Sequence, residues 1–234
     1  MGTFRNSCRF VLSMKNIVSL RTLKEHWEKP GRNDSEQQLK AWYQEAKMAN
    51  WKNPNDIKSQ YKNASIVGSN RVVFNICGNK YRLVVKVNYL TEWIYVRFVG
   101  THNEYDKIDV TTIKKKNIMD VKLIKTEDEY NEALSRIDEL FDVTPESKEF
   151  DEAELLIALV ELYEQQHYKI ESPDPIEAIK FRMEQMEVKR TDMTKYFGTR
   201  GRVSEILNRK RELTLVMIKK LHKDFGIPAE SLLA

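Results

Sequence analysis

The chain has 234 residues, 41% hydrophobic and 32% charged, which is enough for two small domains and too polar for a membrane protein. Its two cysteines, Cys8 and Cys77, lack a CxxC pair or a histidine at zinc-finger spacing, which excludes a disulfide scaffold and argues against structural zinc. No apolar run approaches the roughly 18 to 20 residues that span a bilayer, so a cytoplasmic protein without membrane partners is expected. The net charge of +4 is unevenly spread. Residues 1–118 carry 21 Lys and Arg against 10 Asp and Glu, residues 119–172 carry 5 against 16, and residues 173–234 carry 13 against 9. Blocks of +11, −11 and +4 suggest that the middle segment neutralises a neighbour while the outer ones meet polyanions.

In chain order, residues 1–13 read as a disordered extension, because Met14 opens the ordered-looking sequence. A first helix covers Thr22 to Glu28 and breaks at Pro30-Gly31. A second, capped by Asp34 or Ser35, runs to about Asn50 with Leu39, Trp42, Tyr43 and Ala46 as one stripe. Asn53-Pro54 stops it, and a further turn of helix is expected around Asp56 to Tyr61. From Arg71 the period becomes that of strands. Runs at 71–76 and 80–87 hinge on Gly78-Asn79, and a third at 93–99 follows a turn near Leu90 to Glu92. Helices followed by an antiparallel meander predict a small α+β domain.

A lysine-rich linker follows, centred on Lys114, Lys115 and Lys116, and Met119 reads like a translation start. Beyond it the pattern is helical throughout. Amphipathic helices are expected over 127–141 and 151–166, the latter turning Leu155, Leu156, Leu159, Val160, Leu162 and Tyr163 inward. Pro173 and Pro175 close the acidic block. Four short helices then follow, at 175–187, 191–196, 201–208 and 214–225. The Phe197-Gly198-Thr199 turn between the second and third fits a helix-turn-helix, with Gly198 supplying positive φ. Thr199, Arg200, Arg202, Ser204 and Asn208 would then meet bases, with Arg209 and Lys210 on phosphates, while Val203, Ile206 and Leu207 face inward.

This last segment resembles the Cro/cI-type helix-turn-helix domain of antitoxins. Residues 119–234 as a whole look like a HigA-type antitoxin, through PDPIEAIKFRMEQ, TRGRVSEILNRKR and GIPAESLL. The resemblance implies operator binding as a homodimer, with the acidic helices assisting dimerisation or toxin contact. Residues 14–113 in turn resemble HigB toxins of the RelE-like ribonuclease superfamily, through LKAWYQEAKMANWKNPNDIKSQY, RVVFNICGNKYRLVVKVNY and YVRFVGTHNEYDKI. That implies an α+β unit with a basic concave sheet that cuts messenger RNA, mainly on the translating ribosome. The expected plan is therefore a toxin domain over 14–113, a basic linker over 114–120, an acidic antitoxin segment over 121–172 and a DNA-binding domain over 173–234.

A ribonuclease without metal or cofactor needs a base for the ribose 2′-hydroxyl, an acid for the leaving 5′-oxygen and cations for the phosphate. His102, just past a strand end, suits either proton role. Arg82, in the central strand, is a phosphate clamp, and Tyr105 a hydrogen-bond donor or stacking ring. Arg71, Lys80 and Arg97 add positive field, although strand parity leaves open which share a face with Arg82, and Asn75 orients phosphate or base. Simpler roles stand beside these. His102 is also read as a helix-start residue with a satisfied hydrogen bond, and Arg82 as a partner for Glu104 or Asp106. His26, His167 and His222 read as structural or solvated. The first hairpin strand offers Val73 and Asn75 where RelE-type enzymes often place lysines. His102 falls where some relatives carry a phosphate-binding arginine, so acid, base and phosphate ligand all remain roles for it. Toxin and antitoxin in one chain imply that the acidic segment covers the basic one, in cis or between chains. The competing readings are a catalytically dead fusion that acts only as a DNA-binding regulator, and an RNA-binding regulator without catalysis.

Overall fold

A computed structural model of the protein describes residues 16–106, 123–145 and 147–234. The expected extension at 1–13 and linker at 114–120 lie outside the described residues.

The first half contains β1 (Ile17–Val18), α1 (Leu20–Glu28), α2 (Glu36–Met48), α3 (Pro54–Gln60), β2 (Ser65–Val67), β3 (Arg71–Ile76), β4 (Tyr81–Asn88), β5 (Trp93–Thr101) and the single turn α4 (His102–Tyr105). The sheet order is β1-β5-β4-β3-β2. The central meander is antiparallel as expected, but β1 joins β5 in parallel, Ile17 opposite Ile94 and Val18 opposite Tyr95. The sheet is therefore mixed, which corrects the expectation of a wholly antiparallel one. A two-residue strand whose partner lies more than 70 positions away leaves no local periodicity to read.

Local chemistry sets the ends of these elements. Asn53 caps α3 by accepting from the amides of Asn55 and Asp56, with Pro54 in the first turn where its missing N–H costs nothing. The β3–β4 turn carries Cys77, Gly78 and Asn79 all at positive φ, so the chain reverses tightly.

Beyond the undescribed linker come α5 (Glu127–Leu140), α6 (Lys148–His167), α7 (Pro175–Gln185), α8 (Thr194–Phe197), α9 (Arg200–Leu207), α10 (Leu215–Phe225) and α11 (Ala229–Leu232). A 3-10 turn, Arg190–Met193, takes the place of the first half of the helix expected at 191–196. Asp174 caps α7 through the amides of Ile176 and Glu177, and Gly198 turns the chain between α8 and α9 at φ 95°. None of the described helices is long and apolar enough to cross a membrane.

Two apolar cores hold these parts together. On one face of the sheet, Phe74, Leu83, Val85 and Ile94 pack against Leu23, Leu39, Trp42 and Ile57, and the same core continues into Phe181, Phe197, Leu221 and Ile227 of the last helices. On the other face, Val18, Trp93 and Tyr95 pack against Tyr130, Ile137, Phe141, Ile157 and Val160 of α5 and α6. The chain thus sandwiches one sheet between two groups of helices. In α6, Leu156, Val160 and Tyr163 are buried, but Leu155 and Leu162 are 50% and 43% exposed. These two do not turn inward as expected. Eight apolar residues in the nine positions 155–163 exceed one helix face, so the sheet can cover only some of them.

Candidate active site and nucleic-acid surface

Register assigns the candidate side chains to faces. Asn75 stands opposite Arg82, and Arg82 opposite Gly100, so the three form one rung. Arg71, Lys86 and Tyr95 form another rung of that same face. His102 follows two residues after Gly100 as the first residue of α4, at the same corner of the sheet as Arg82. Lys80 is directed elsewhere. Its ammonium pairs with Asp34 at 2.6 Å and lies 5.0 Å from the centre of the Tyr81 ring, whose hydroxyl also donates to Asp34. Tyr81 belongs to the opposite face.

The corner is built by short-range hydrogen bonds. Thr101 caps α4 by accepting from the Glu104 amide, and Glu104 accepts from the Thr101 amide in return. Glu104 also takes the Arg32 guanidinium at 2.6 Å, and this hydrogen bond, with the Thr101 amide, holds its carboxyl down at about 2. His102 is exposed and its Nδ1 lies 3.2 Å from Asp106 Oδ2, a pair that orients the imidazole. Tyr105 is half-buried on the same turn. Arg82 donates to the backbone carbonyl of Asn79 at 3.0 Å and to its side chain at 3.3 Å, so it rests against the β3–β4 turn rather than on Glu104 or Asp106. The Asn75 amide donates to the Asn63 carbonyl at 3.1 Å.

Phe98 and Arg32, which sequence reasoning did not single out, and His26, which it read as structural or solvated, complete this corner. Phe98 pairs with Val84 in the register and lies half-buried over Gly100, where an added Cβ would come within 2.2 Å of its ring. Only glycine fits beneath the ring. Arg32 ties the α1–α2 loop to Glu104. His26 is buried, its Nδ1 bonded to the Val99 carbonyl at 3.1 Å. Burial first, and then the Arg32 charge, lower it to about 4, so it is a neutral ring. Its burial agrees with a structural role. The glycine two residues before a histidine was the one sequence sign of a close approach here.

The acidic segment meets the sheet below this corner. Asp138 pairs with Arg97, whose guanidinium lies 5.0 Å over the Tyr95 ring. Asp142 pairs with Lys86 at 2.7 Å, the Phe141 carbonyl accepts from Asn88, and Glu127 pairs with Arg21. Among the described residues, no acidic side chain of 123–172 pairs with Arg82 or His102. The expected charge neutralisation is present, but it falls on neighbouring rungs and not on the candidate catalytic pair. Arg71 shares the face of Arg82, and its Nε is buried without a hydrogen bond.

The turn end of the same hairpin is also held by α7. Glu184 accepts from the Gly78 amide at 2.8 Å and from Gln38 at 3.1 Å, and Gln185 donates to the Asn75 carbonyl at 2.9 Å. Arg182, 7% exposed, donates to the Gln60 carbonyl and to the Phe225 carbonyl and faces Glu45 at 3.4 Å.

At the second surface, Thr199 caps α9 through the Arg202 amide at 3.3 Å. Val203, Ile206 and Leu207 are buried, while Arg200, Arg202, Ser204, Asn208 and Lys210 are exposed. Asn208 donates to Ser204 at 3.2 Å. Arg209, at φ 58°, is held by Asp174 at 2.8 Å and Glu177 at 3.0 Å. It spans the start of α7 and the end of α9.

No curated protein matches this chain. Residues 35–108, from the start of α2 through the corner that carries Arg82, His102 and Tyr105, match the family model HigB_toxin, RelE-like toxic component of a toxin-antitoxin system, which supports a toxin role for this part of the chain.

Proposed function

We propose that the chain is a toxin and its antitoxin in one polypeptide. Residues 14–113 form a metal-independent messenger-RNA endoribonuclease that works on the ribosome. Residues 121–234 hold it inactive and bind operator DNA as a homodimeric autorepressor. The observation that carries this reading is the second apolar core, in which α5 and α6 cover part of the sheet face that bears Arg82. A ribosome-bound messenger would have to displace this helical pair or pass beside it. Inhibition by steric exclusion therefore fits better than direct neutralisation of the catalytic groups.

Cleavage requires removal of the 2′-hydroxyl proton, bonding of that oxygen to phosphorus, and protonation of the departing 5′-oxygen. In this reading the imidazole of His102, steadied by Asp106, carries a proton or binds phosphate. Arg82 swings from Asn79 to the phosphate oxygens, where its planar fork matches two of them. Tyr105 donates a hydrogen bond or stacks, and Asn75 and Arg71 extend the surface on the same face. Arg97 becomes available only once Asp138 leaves. Lys80, turned toward Asp34, contributes field at a distance.

The test is messenger-RNA cleavage in a translating extract by residues 14–113, by the full chain, and by the fragment with Arg82→Ala or His102→Ala. Cleavage by the fragment, absent from the full chain and reduced about 10²–10⁴-fold in His102→Ala, is the expected result. A folded fragment that never cleaves would favour a dead fusion that only binds DNA. Val73 and Asn75 in place of basic residues on β3 are the observation behind that alternative. For the C-terminal helices, Arg202→Ala is expected to weaken operator binding by about 1–3 kcal/mol and to relax base preference. Lys210→Ala should weaken all sequences alike and flatten the salt dependence. Gel shifts at two salt concentrations separate the two effects.

A further inference from the structure

Phe98 stands on the sheet face that bears Arg82, yet its ring belongs to neither apolar core. Register makes a rung of Val73, Val84 and Phe98. On β3 and β4 this apolar rung lies between Asn75 with Arg82 and Arg71 with Lys86. The acidic segment engages the lower of those two rungs, where Lys86 pairs with Asp142 and the Tyr95 hydroxyl donates to the Leu134 carbonyl. Phe98 itself leans the other way. A Cβ placed on Gly100 would come within 2.2 Å of Phe98 Cζ and 2.9 Å of Glu104 Oε2. The tip of the ring therefore reaches the rung of Arg82 and ends beside the first turn of α4, which carries His102.

This placement is poor for packing and good for recognition. The ring remains partly exposed, so it gains less from burial than the rings inside the two cores. Bases of a single strand stack on aromatic faces while nearby cations hold the backbone. Two residues of strand separate Phe98 from Gly100, or about 7 Å. That step sets a base platform beside a phosphate held by Arg82.

We infer that Phe98 is a stacking platform for one nucleobase of single-stranded RNA, adjoining the phosphate that Arg82 and His102 receive, with Gly100 making room for the ring. The contact is with a π-face, so it accepts every base. It names a substrate contact within the proposed ribonuclease site and rests on that reading for the presence of RNA there, but not on cleavage. Because α5 and α6 engage the lower rung, the full chain still takes a short oligonucleotide at this corner.

The experiment titrates the full chain against a 2′-fluoro RNA tetranucleotide, which lacks the attacking hydroxyl and carries one 2-aminopurine, a base whose fluorescence falls when it stacks. Calorimetry gives the affinity separately. Saturable binding with quenching is expected. Phe98→Leu keeps an apolar side chain opposite Val84 but removes the π-face, and should weaken binding about tenfold and abolish the quenching at saturation. Phe98→Tyr should restore both. Gly100→Ala, which forces the ring from its place, should act like Phe98→Leu and serves as the test if that variant misfolds. Arg82→Ala should weaken binding yet leave the quenching at saturation. Affinity and quenching unchanged in Phe98→Leu overturn the inference, as does a folded chain that binds no probe. Binding untouched by Arg82→Ala also overturns it, since the probe would then sit elsewhere. Quenching that depends on Phe98, in a protein whose residues 14–113 never cleave, would sink the ribonuclease and keep the platform. Cleavage without such quenching would do the reverse.

Discussion

Replacing Arg182 by alanine is expected to destabilise the full chain by about 3–5 kcal/mol at pH 8, because it leaves the Glu45 carboxylate buried without its cation. Glu45 is 3% exposed, and Arg182 is the charge that favours its ionised form, with the Tyr61 hydroxyl donating to it as well. Burial pushes Glu45 up to about 7 in the folded chain, above its ordinary value. The sign of the pH dependence follows. Between the ordinary carboxyl range and about 7 the folded state binds more protons than the unfolded one, so stability from this group falls as pH rises through that window. Glu164, also raised to about 7, adds to the same trend. Glu104, held at about 2, acts in the opposite direction and only in acid, where its stabilisation is lost. The Arg182→Ala cost should therefore be smaller at pH 5, where Glu45 is neutral in the folded state with or without its partner. The double variant with Glu45→Gln should recover much of the loss at pH 8. Urea denaturation of the chain and both variants at the two pH values measures these costs, and an equal cost at both would show that Arg182 acts through packing and its bonds to the Gln60 and Phe225 carbonyls rather than through the Glu45 charge.

That ion pair also marks the limit of what the sequence discloses. The strands at 71–76, 81–88 and 93–101 and the Gly198 turn were legible because each has a local cause, alternation or a positive φ, whereas Asn53-Pro54, expected to stop the second helix, starts α3 after α2 has already ended at Met48. The opposed charges of the first two blocks foretold that one would lie on the other, and Asp138 with Arg97 and Asp142 with Lys86 do so. The rung was not legible. Which acid meets which base depends on the register of β5 against β4, shifted by an irregularity between Val84 and Val85. Glu45 and Glu164 look like ordinary surface carboxylates on amphipathic helices, and their burial involves partners distant in sequence, Arg182 for Glu45 and Leu20 for Glu164. Arg209, expected on a phosphate, has two carboxylate partners on α7, and no short-range pattern links 174 to 209. His102 starts a helix and pairs with Asp106, the simpler of its two readings, and it stays exposed at the sheet corner that carries Arg82.

Truncating Phe141 to alanine is expected to have the largest effect on the association of the two halves. The ring is fully buried, 6.3 Å from the Trp93 ring and 6.1 Å from the Tyr95 ring, with the Lys86 ammonium 5.0 Å from its centre. Its loss should cost about 3–5 kcal/mol, concentrated where α5 meets β4 and β5. The first core, built on α1, α2, α3 and the last helices, shares no side chain with Phe141, so the C-terminal helices stay docked through Phe181 and Arg182. Local rather than global opening follows, with amides of α5 and α6 exchanging faster than those of β3 and β4. Hydrogen exchange with mass readout measures this directly. Under the proposed function the same variant should regain messenger-RNA cleavage as a full chain, because Lys86, Arg97 and the lower rungs become exposed together with Arg82. Asp138→Ala, which removes one ion pair and leaves the rings in place, should do so far less. If exchange rises in α5 and α6 while cleavage does not, the helical pair is not the restraint. The hydrogen bonds of Glu184 and Gln185 to Gly78 and Asn75, on the other side of the hairpin, would then be the contacts to cut.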